Sequence, residues 1–515
     1  MKNHLIKKMF LIFGLIVSIM ASAQTNTENY VQSKNCLNAD CTRKSETITY
    51  FDCLGRAKQI ISVKATPSGK DLVTPVVYDG FGRQVKNILP VPAQTQNSNI
   101  HTGITNESAA NAYYGVNNAY TEKEVENSPL DRILQQAQPG EPWVMSSGNT
   151  EKFEYEANKV NEVKKFIATT STNTVNNISN TVSQLSVSSD NSGCYAAGVL
   201  YKNTVTDEDG NPVTEYKNGR GQTVLVRRTD GTQSIDTYYV YNEYNQLAFV
   251  ITPKAVKKIE QNNNVVTDGI LNELCYQYRY DGQNRNVEKR LPGQDWTWMV
   301  YDQQDRLVLL QDGNLRTTTN NFNGKGWIFT KYDELGRIVY TGFFSNTANR
   351  QAMQNALNSM AANPYNNEKR SAVPFNLAGV NVFYDKKGFP TGSMTILTIN
   401  YYDTYPEGAE SFSSIQGQYT LSPVLGSNDD ASTKGLQTAS LVRNIENDQW
   451  TRTYMYYDSK GRIISTRSTN HLGGYTNTET KLNFSGLADE TYTNHRRTRV
   501  SKEIRIKERF IYDDQ

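Results

Sequence analysis

The sequence predicts an all-β protein, built as an array of β-hairpins with minor short helices. Two observations support this prediction. Of the 515 residues, 32 are tyrosine while only 37% are hydrophobic, and tyrosine suits a half-buried pleated surface with its ring packed and its hydroxyl in water. In addition, a short turn motif recurs along the chain between segments that alternate polar and apolar residues, which is typical of β-hairpins.

The repeated motif is an aromatic residue followed by Asp or Asn, with a turn-forming residue three positions later. Asp or Asn opens such a turn because its side chain accepts hydrogen bonds from backbone N–H groups ahead of it. Alternating segments such as residues 47–50 precede the motif, and others such as residues 307–310 follow it. The copies begin at Asp52, Asp79, Asn218, Asn242, Asp281, Asp302, Asp333, Asp385 and Asp458.

The third position after each Asp or Asn is predicted to need a positive φ, as in a type I turn closed by a G1 bulge. Only residue types that tolerate the left-handed region stand there, and no β-branched or bulky residue does. Backbone geometry therefore selects these residues, and the hairpins are predicted to be scaffold. The third positions are Gly55, Gly82, Gly221, Asn245, Asn284, Asp305, Gly336, Gly388 and Gly461.

Two groups of segments resemble a known family. The motifs at 50–56, 78–83, 332–337 and 457–462 resemble YD repeats of the Rhs family, and the degenerate copies at 241, 280, 301 and 384 fit the same pattern. Residues 47–56, 120–123 and 126–132 together resemble the uncharacterised domain that opens many secreted Rhs-like proteins of Gram-negative bacteria. The resemblance covers roughly residues 30–515.

This resemblance implies a long, spiralling β-sheet that closes, wholly or in part, into a hollow shell. In polymorphic toxins such a shell encloses a variable C-terminal effector and helps to present it to a neighbouring cell. The sequence has no Rhs core segment, self-cleaving aspartate motif or toxin domain, so autoproteolysis and toxin activity are not carried over. The predicted function is a non-catalytic scaffold, the N-terminal part of a shell whose partner is its own C-terminal region or effector.

Residues 1–23 are predicted to be a signal peptide that is cleaved after Ala23, so the protein is expected to be secreted or held at the cell surface. Lysines 2, 7 and 8 precede an apolar run at 9–20, and Ala21-Ser22-Ala23 supplies small residues at the cleavage site. The predicted domains are then 24–165, the N-terminal domain with the first hairpins; 166–200, a Ser/Thr/Asn-rich connector or edge strands; and 201–515, the repeat region. Because the sequence stops within another motif at Tyr512-Asp513, it is predicted to be truncated.

Three further segments carry local predictions. Residues 24–45 are polar and are expected to form a loose N-terminus. Residues 128–143 are expected to form a capped turn with a short helix, and residues 347–362 a short surface helix, because Met353, Ala356, Leu357 and Met360 share one helical face.

Charge and cysteine content argue against several functions. Residues 1–23 hold three lysines and no acidic residue, so the remaining chain has 51 basic and 52 acidic residues and no electrostatic footprint for nucleic acid. Five cysteines do not make a disulfide framework, although Cys36 and Cys41 can bridge locally. Neither a metal site nor a cofactor motif is predicted, because His residues are few and no glycine-rich phosphate loop occurs.

The candidate chemical groups each have two interpretations. The motif aspartates suggest a glycosidase acid–base pair, but Asn replaces Asp in two copies, which favours turn capping. The arginines that end the motifs either line a ligand groove or stack on a neighbouring tyrosine and protect the strand edge. Trp296 and Trp298, on alternate strand positions, either line the core or stack on a sugar. The sugar interpretation belongs to the alternative function, a surface carbohydrate-binding protein or adhesin.

Overall fold

The computed structural model describes residues 27–175, 178–231, 233–377, 379–422 and 432–512. Strands account for 47% of the chain and helices for 10%, which confirms the all-β class. The predicted signal peptide and Asp513 lie outside the described residues. Within the described part, no helix is long and apolar enough to cross a membrane.

The described residues form 33 strands, nine of them before residue 160. These nine are β1 (Asn29–Cys36), β2 (Lys44–Phe51), β3 (Ala57–Ser62), β4 (Leu72–Pro75), β5 (Lys86–Ile88), β6 (Val91–Pro92), β7 (Tyr120–Val125), β8 (Ile133–Ala137) and β9 (Glu151–Ala157). The other strands are β10 (Phe166–Val175), β11 (Ile178–Val187), β12 (Tyr201–Thr206), β13 (Pro212–Lys217), β14 (Thr223–Asp230), β15 (Gln233–Tyr241), β16 (Leu247–Ile251), β17 (Cys275–Asp281), β18 (Asn286–Arg290), β19 (Thr297–Tyr301), β20 (Leu307–Gln311), β21 (Gly326–Tyr332), β22 (Ile338–Ser345), β23 (Arg370–Leu377), β24 (Val380–Tyr384), β25 (Met394–Tyr402), β26 (Ser414–Ile415), β27 (Gln418–Tyr419), β28 (Gln437–Arg443), β29 (Trp450–Tyr457), β30 (Ile463–Thr469), β31 (Gly473–Leu482), β32 (Ala488–Thr498) and β33 (Ile504–Arg509).

Short α-helices interrupt the strands: α1 (Glu107–Tyr114), α2 (Pro253–Gln261), α3 (Asp268–Leu274) and α4 (Arg350–Asn358). The helix predicted at 347–362 is present as α4, which buries one face against the sheet through Met353, Leu357 and Arg350. Ala356, predicted on the same face, is exposed. The prediction of a short helix within 128–143 is wrong for the residues before 138. Residues 133–137 form strand β8, and only residues 141–143 make a single 3-10 turn.

Two antiparallel sheets contain most of the strands. A five-stranded sheet has the order β1-β2-β3-β4-β6. In the main sheet β5, β7, β8, β9 and β12 to β22 follow one another, then β25 and β28 to β33, each paired antiparallel with the next. The hairpin β10–β11 joins the main sheet where Asn180 and Thr181 pair with the end of β17. Two small hairpins, β23–β24 and β26–β27, stand apart.

The N-terminal segment is more ordered than the sequence suggests. Residues 29–36 form β1 and pair along their whole length with β2, so the expectation of a loose segment at 24–45 is wrong. Cys36 and Cys41 are joined in a disulfide across the turn between these strands. The segment is polar because β1 is an edge strand that exposes almost every residue.

The main sheet is continuous across the predicted domain boundaries at 165 and 200. Strand β9 pairs with β12 from Lys152 to Ala157, so residues 158–200 are an insertion between two neighbouring strands. Within this insertion β10 and β11 pair over ten residues, with Thr170 bonded to Ser183 and Thr174 bonded to Ser179. The Ser/Thr/Asn-rich stretch is thus a hairpin, one of the two alternatives for this stretch.

In a sheet of successive antiparallel strands, the connections lie alternately at the two ends of the strands, and we use the word edge for each of these two rows of connections. We name the edge that carries the Asp and Asn motif turns the repeat edge; insertions at 158–200 and 404–435 interrupt it. Its first two turns precede the main sheet, since the Asp52 turn joins β2 and β3 of the five-stranded sheet and the Asp79 turn connects β4 of that sheet to β5 of the main sheet.

The other edge, which we name the opposite edge, carries short turns as well as longer and less regular connections. The turns at Asp207 and Asn470 have the five-residue form of the motif turns, with the side chain accepting from the N–H group four residues ahead. The longer connections include the α2–α3 segment between β16 and β17, residues 312–325, residues 346–393 and residues 444–449.

Candidate functional site

Six motif turns on the repeat edge have nearly the same hydrogen-bond geometry. One carboxylate oxygen of each aspartate accepts from the N–H groups two and four residues ahead, at 2.8–3.0 Å, and the other accepts from the Nε of the arginine four residues ahead, at 2.7–2.8 Å. The residue in third position has a φ between 60° and 82°, as predicted. The six aspartates are Asp52, Asp79, Asp281, Asp302, Asp333 and Asp458.

Two copies replace the charged pair by a neutral one without changing the turn. Asn242 accepts from the N–H groups of Tyr244 and Gln246, and its amide donates to the side-chain oxygen of Gln246 at 2.8 Å. Asn218 and Gln222 make the same contacts. Asp in the first position is therefore matched with Arg in the fifth, and Asn in the first position with Gln in the fifth. This pairing is visible in the sequence, although the motif as defined above did not include it.

The hydrogen bonds of the turn lower the pKa of two of these aspartates, Asp52 and Asp79. The N–H group of Arg56, with the Arg56 side chain and the Leu54 N–H, keeps the pKa of Asp52 below its ordinary value, and Arg83 and Phe81 do the same for Asp79. A general acid needs a raised pKa and a free proton-transfer path. The pKa values of Asp52 and Asp79 are shifted the other way, and all six carboxylates are bonded within their own turns, so the geometry supports the turn-capping interpretation.

Each motif arginine also reaches the following turn of the repeat edge. Arg285 donates to the carbonyl oxygen of Asp302 at 3.0 Å, and Arg306 donates to that of Asp333 at 3.0 Å. The guanidinium groups of Arg56, Arg285, Arg306 and Arg337 lie 4.4–5.2 Å from the ring centres of Tyr78, Tyr301, Tyr332 and Tyr402. The interpretation in which arginine stacks on a neighbouring tyrosine is the one that this geometry supports.

The tyrosine that precedes five of the six aspartates, all except Asp52, completes the connection in the reverse direction. Its hydroxyl donates, at 2.5–3.1 Å, to the carbonyl oxygen of a residue that follows the preceding turn of the repeat edge. The donor–acceptor pairs are Tyr78–Ala57, Tyr280–Leu247, Tyr301–Asn286, Tyr332–Leu307, Tyr402–Ile338, Tyr457–Gln437 and Tyr512–Ala488. Arginine and tyrosine thus lock successive turns together.

The predicted copy at Asp385 and Gly388 is not a motif turn. Gly388 lacks a positive φ, which Lys386 has instead, and the N–H groups of Lys387 and Gly388 donate to Glu368 rather than to Asp385. Gly388 lies close to Glu368, since a Cβ there would stand 3.0 Å from the Glu368 carboxylate. Glu368 has taken the place of the motif aspartate.

Glu368 belongs to a buried cluster that the sequence search missed. Lys331 donates to Glu368 Oε1 at 2.8 Å and to the Gly388 carbonyl at 2.7 Å, and the Tyr340 hydroxyl donates to the same carboxylate at 2.7 Å. Burial opposes the charge of Glu368, but Lys331 and the other donors hold its pKa below the ordinary value. One feature of the sequence points to this cluster. Side chains alternate between the two faces of a strand, and Lys331 follows Trp327 and Phe329 at alternate positions on the buried face of β21.

A second buried cluster fixes α4 and the hairpin β10–β11 to the sheet. Arg350 of α4 lies 3.2 Å from Glu288 of β18 and also donates to Asn180 of β11. Arg279 donates to the other Glu288 oxygen at 2.9 Å. Both buried clusters therefore tie inserted segments to the sheet.

The two candidate stacking tryptophans are partly covered. The Arg279 guanidinium lies 3.9 Å from the ring centre of Trp296, and that of Arg316 lies 4.3 Å from the ring centre of Trp298. Trp298 also packs near Trp327, with ring centres 6.1 Å apart. Strand β19 begins at Thr297, so Trp296 stands before it rather than within it. This arrangement does not favour an open sugar platform.

Three other features could indicate a reactive site: a cavity beside two motif turns, a buried cysteine, and clusters of metal-binding side chains. A cavity of about 600 Å³ beside the Asp281 and Asp302 turns is lined by Ser179 and Gln354, but both aspartates are already bonded to their arginines. Burial raises the pKa of the Cys275 thiol to about 12. In the described part of the chain, His, Cys, Asp and Glu side chains form no group of three that would hold a metal ion.

Fold and repeat edge together define a repetitive β-scaffold, in which each conspicuous motif residue has a structural role. Residues 23–157, about a quarter of the chain, match DUF6443, a domain of unknown function. No functionally curated protein matches the sequence.

Several solved toxin structures are similar to the chain. A crystal structure of TcdB2-TccC3-Cdc42 matches with a TM-score of 0.45 and 11% identity, over 94% of this chain and 20% of that one. A crystal structure of TcdB2-TccC3 matches with a TM-score of 0.45 and 10% identity, over 94% and 20%. A structure of the Photorhabdus luminescens Tc holotoxin pore gives 0.39 and 11%, over 94% and 22%. The chain spans about a fifth of the length of these solved chains.

Proposed function

We propose that this chain is a non-catalytic YD-repeat scaffold, the N-terminal part of an Rhs-type shell. In this proposal the shell encapsulates or presents a C-terminal effector in competition between cells. The observation that carries the proposal is the repeat edge, where the aspartate, arginine and tyrosine of successive turns bond to each other. Groups engaged in this way supply rigidity rather than chemistry.

Export is part of the proposal, with cleavage of the signal peptide after Ala23. The Cys36–Cys41 disulfide supports export, because disulfides persist in oxidising compartments. The proposed partner is the chain's own C-terminal region or an effector.

Two experiments test the scaffold and its export. Residues 24–515 are expected to give a β-type circular dichroism spectrum and a particle that resists limited proteolysis; a helix-dominated spectrum contradicts the proposal. Mass spectrometry of the protein recovered from its native host is expected to find Gln24 at the N-terminus. Recovery of an unprocessed chain from the cytoplasm contradicts export.

The genomic DNA after codon 515 tests encapsulation. An in-frame continuation with further Tyr-Asp hairpins and a variable C-terminal domain is the expected result. A stop codon with no effector gene beside it contradicts the encapsulation proposal but leaves the scaffold experiments as they stand.

A further inference from the structure

A cavity of about 360 Å³ lies at the opposite edge, away from the motif turns. It is lined by two loops, residues 321–324 and residues 443–448, and by the adjoining ends of strands β22 and β25. Its walls combine aromatic, amide, hydroxyl and charged groups. We name it the edge cavity and define it by Asn321, Phe322, Asn323, Phe343, Ser345, Met394, Leu397, Arg443 and Asp448.

Both loops at the edge cavity are held in shape by their own hydrogen bonds. The Asn320 amide donates to the carbonyl oxygens of Thr317 and Gly324, each at 2.9 Å, while its oxygen accepts from the Phe322 N–H. In the other loop, the Asn444 side chain accepts from the Glu446 N–H and its carbonyl from the Asp448 N–H. A site on loops held in this way is pre-organised and loses less entropy when it binds a ligand.

An aromatic pair forms the apolar wall of the cavity. The rings of Phe322 and Phe343 are stacked, with centres 4.2 Å apart and planes inclined by 6°. Phe343 is buried, whereas Phe322 is half-exposed. Met394 and Leu397 add apolar surface beside the pair. Such a wall suits a ligand with an apolar face rather than a fully hydrated ion.

An ion pair supplies the polar part of the cavity. Arg443 Nη2 lies 2.7 Å from Asp448 Oδ1; the arginine side chain is 12% exposed and the aspartate side chain 67%. Arg443 Nε is buried and has no hydrogen-bond partner among the described residues. Buried donors are rarely left unbonded in proteins. The pair is neutral overall, so it offers donors and acceptors side by side without selecting a charged ligand.

We infer that the edge cavity binds a neutral pyranose sugar. The C–H face of a pyranose ring matches the phenyl wall, and its neighbouring hydroxyls match a carboxylate, a guanidinium and the Asn321 and Asn323 amides. The volume falls within the range of small-ligand sites, which combine apolar walls with a few placed polar groups. This role is additional to the scaffold proposal and uses none of its motif residues.

Saturation-transfer NMR and calorimetry on residues 24–515 test the inference. The probes are the methyl glycosides of glucose, galactose, mannose and N-acetylglucosamine. At least one is expected to bind saturably with a millimolar Kd. Phe322→Ala and Asp448→Asn are each expected to weaken that binding at least ten-fold, because one removes the stacking wall and the other the exposed acceptor.

Two control variants should leave binding unchanged. Phe81→Ala removes a 78% exposed phenyl ring from a motif turn, and Trp296→Ala/Trp298→Ala removes the other aromatic candidates. Thermal unfolding checks that each variant folds; if Phe322→Ala does not, Asn321→Ala, at an exposed position, replaces it with the same expected weakening. The inference is overturned if none of the four glycosides binds saturably, or if binding survives the cavity variants or is lost in the tryptophan variant.

Discussion

The two edges of the main sheet solve the same problem, reversal of the chain, in different ways. On the repeat edge a five-residue turn is stabilised by its own Asp–Arg or Asn–Gln pair and by the tyrosine of the next turn. On the opposite edge, five-residue turns such as those at Asp207 and Asn470 stand beside long connections of varied conformation. One of these long connections, residues 346–393, contacts Arg306 through the carbonyl of Tyr365.

This difference shows where sequence variation can be accommodated. A residue of the repeat edge is bonded to its own turn and to a neighbouring one, so a change there affects two hairpins. The opposite-edge loops at 312–325 and 444–449 hold their shape through internal bonds, as Asn320 and Asn444 illustrate, and can change without altering strand register. Residues 346–393 differ, because Glu368 and Arg350 bond them to the sheet. Ligand binding is therefore expected on the opposite edge.

The largest effect is expected where an inserted segment depends on a buried charge. Lys331→Met leaves the Glu368 carboxylate buried without its cation and should lower the free energy of unfolding by about 3–5 kcal/mol. Lys331→Met/Glu368→Gln should recover much of the loss, and Lys165→Met, in a more exposed pair with Asp190, should change it by less than about 1 kcal/mol. Urea unfolding measures all three. Equal losses in Lys331→Met and Lys165→Met would show that the insertion does not depend on this pair.

The matching of Asp with Arg and of Asn with Gln in the motif turns can be tested by exchanging one pair for the other. Arg306→Gln removes the guanidinium from Asp302, which is 2% exposed, and should cost about 2–3 kcal/mol. Adding Asp302→Asn recreates the pair found at Asn242 and Gln246 and should recover part of that loss. A double variant less stable than Arg306→Gln in urea unfolding would contradict the matched-pair account.

Backbone geometry at the third motif position is tested by two glycines with open surroundings. A Cβ at Gly336 or Gly282 would meet no atom within 4 Å, but only Gly336 has a positive φ, of 77°. Gly336→Ala should therefore lower stability by about 1–2 kcal/mol through the backbone alone. Gly282→Ala should stay within about 0.5 kcal/mol of the parent protein. Similar losses at both positions in chemical denaturation would show that conformation is not the cause.

The smallest effect separates Asp385 from the true motif aspartates by pH. Burial and the adjacent Glu368 carboxylate raise the pKa of Asp385 above 3.8, so its contribution to stability is present below that pH and is lost as the pH rises through the folded-state pKa. Asp385→Asn should thus raise the Tm by roughly 1–3 °C at pH 7 and leave it unchanged near pH 3.5.

Asp79→Asn should show the opposite pH dependence. The pKa of Asp79 is lowered from 3.8, so the contribution of its carboxylate is present above that value and is lost as the pH falls through the folded-state pKa. This variant should have a reduced Tm at pH 7, with the difference shrinking in acid. If the two variants show the same pH trend in thermal melts, Asp385 is not distinct from the motif aspartates.

The sequence predicted the all-β class and the positive φ of the repeat turns because both follow from local preferences. It failed at Asp385 and Gly388, where the motif letters are present but Glu368, 17 residues away from Asp385, takes the capping role. It also missed the turn at Asn483, which has the backbone bonds of the motif turns and accepts from the Leu487 N–H, but which follows Leu482 instead of an aromatic residue.

The buried clusters could not be derived from spacing. Arg350 and Asn180 are 170 residues apart and meet only because an insertion and a hairpin pack on the same part of the sheet. The edge cavity likewise draws on two loops and two strand ends, and its Arg443 and Asp448 look like ordinary surface charges in the sequence. Long-range packing decides such sites, and no local pattern encodes it.

The tyrosine hydroxyl contacts also give the array a direction of assembly. Each tyrosine bonds to backbone that precedes it in the chain, and in six of the seven pairs the separation is only 15–33 residues. A hairpin that emerges from the ribosome or from an export channel therefore finds its docking surface already formed. Short separations of this kind favour rapid folding, and they let the sheet grow vectorially, one hairpin at a time, from the N-terminus.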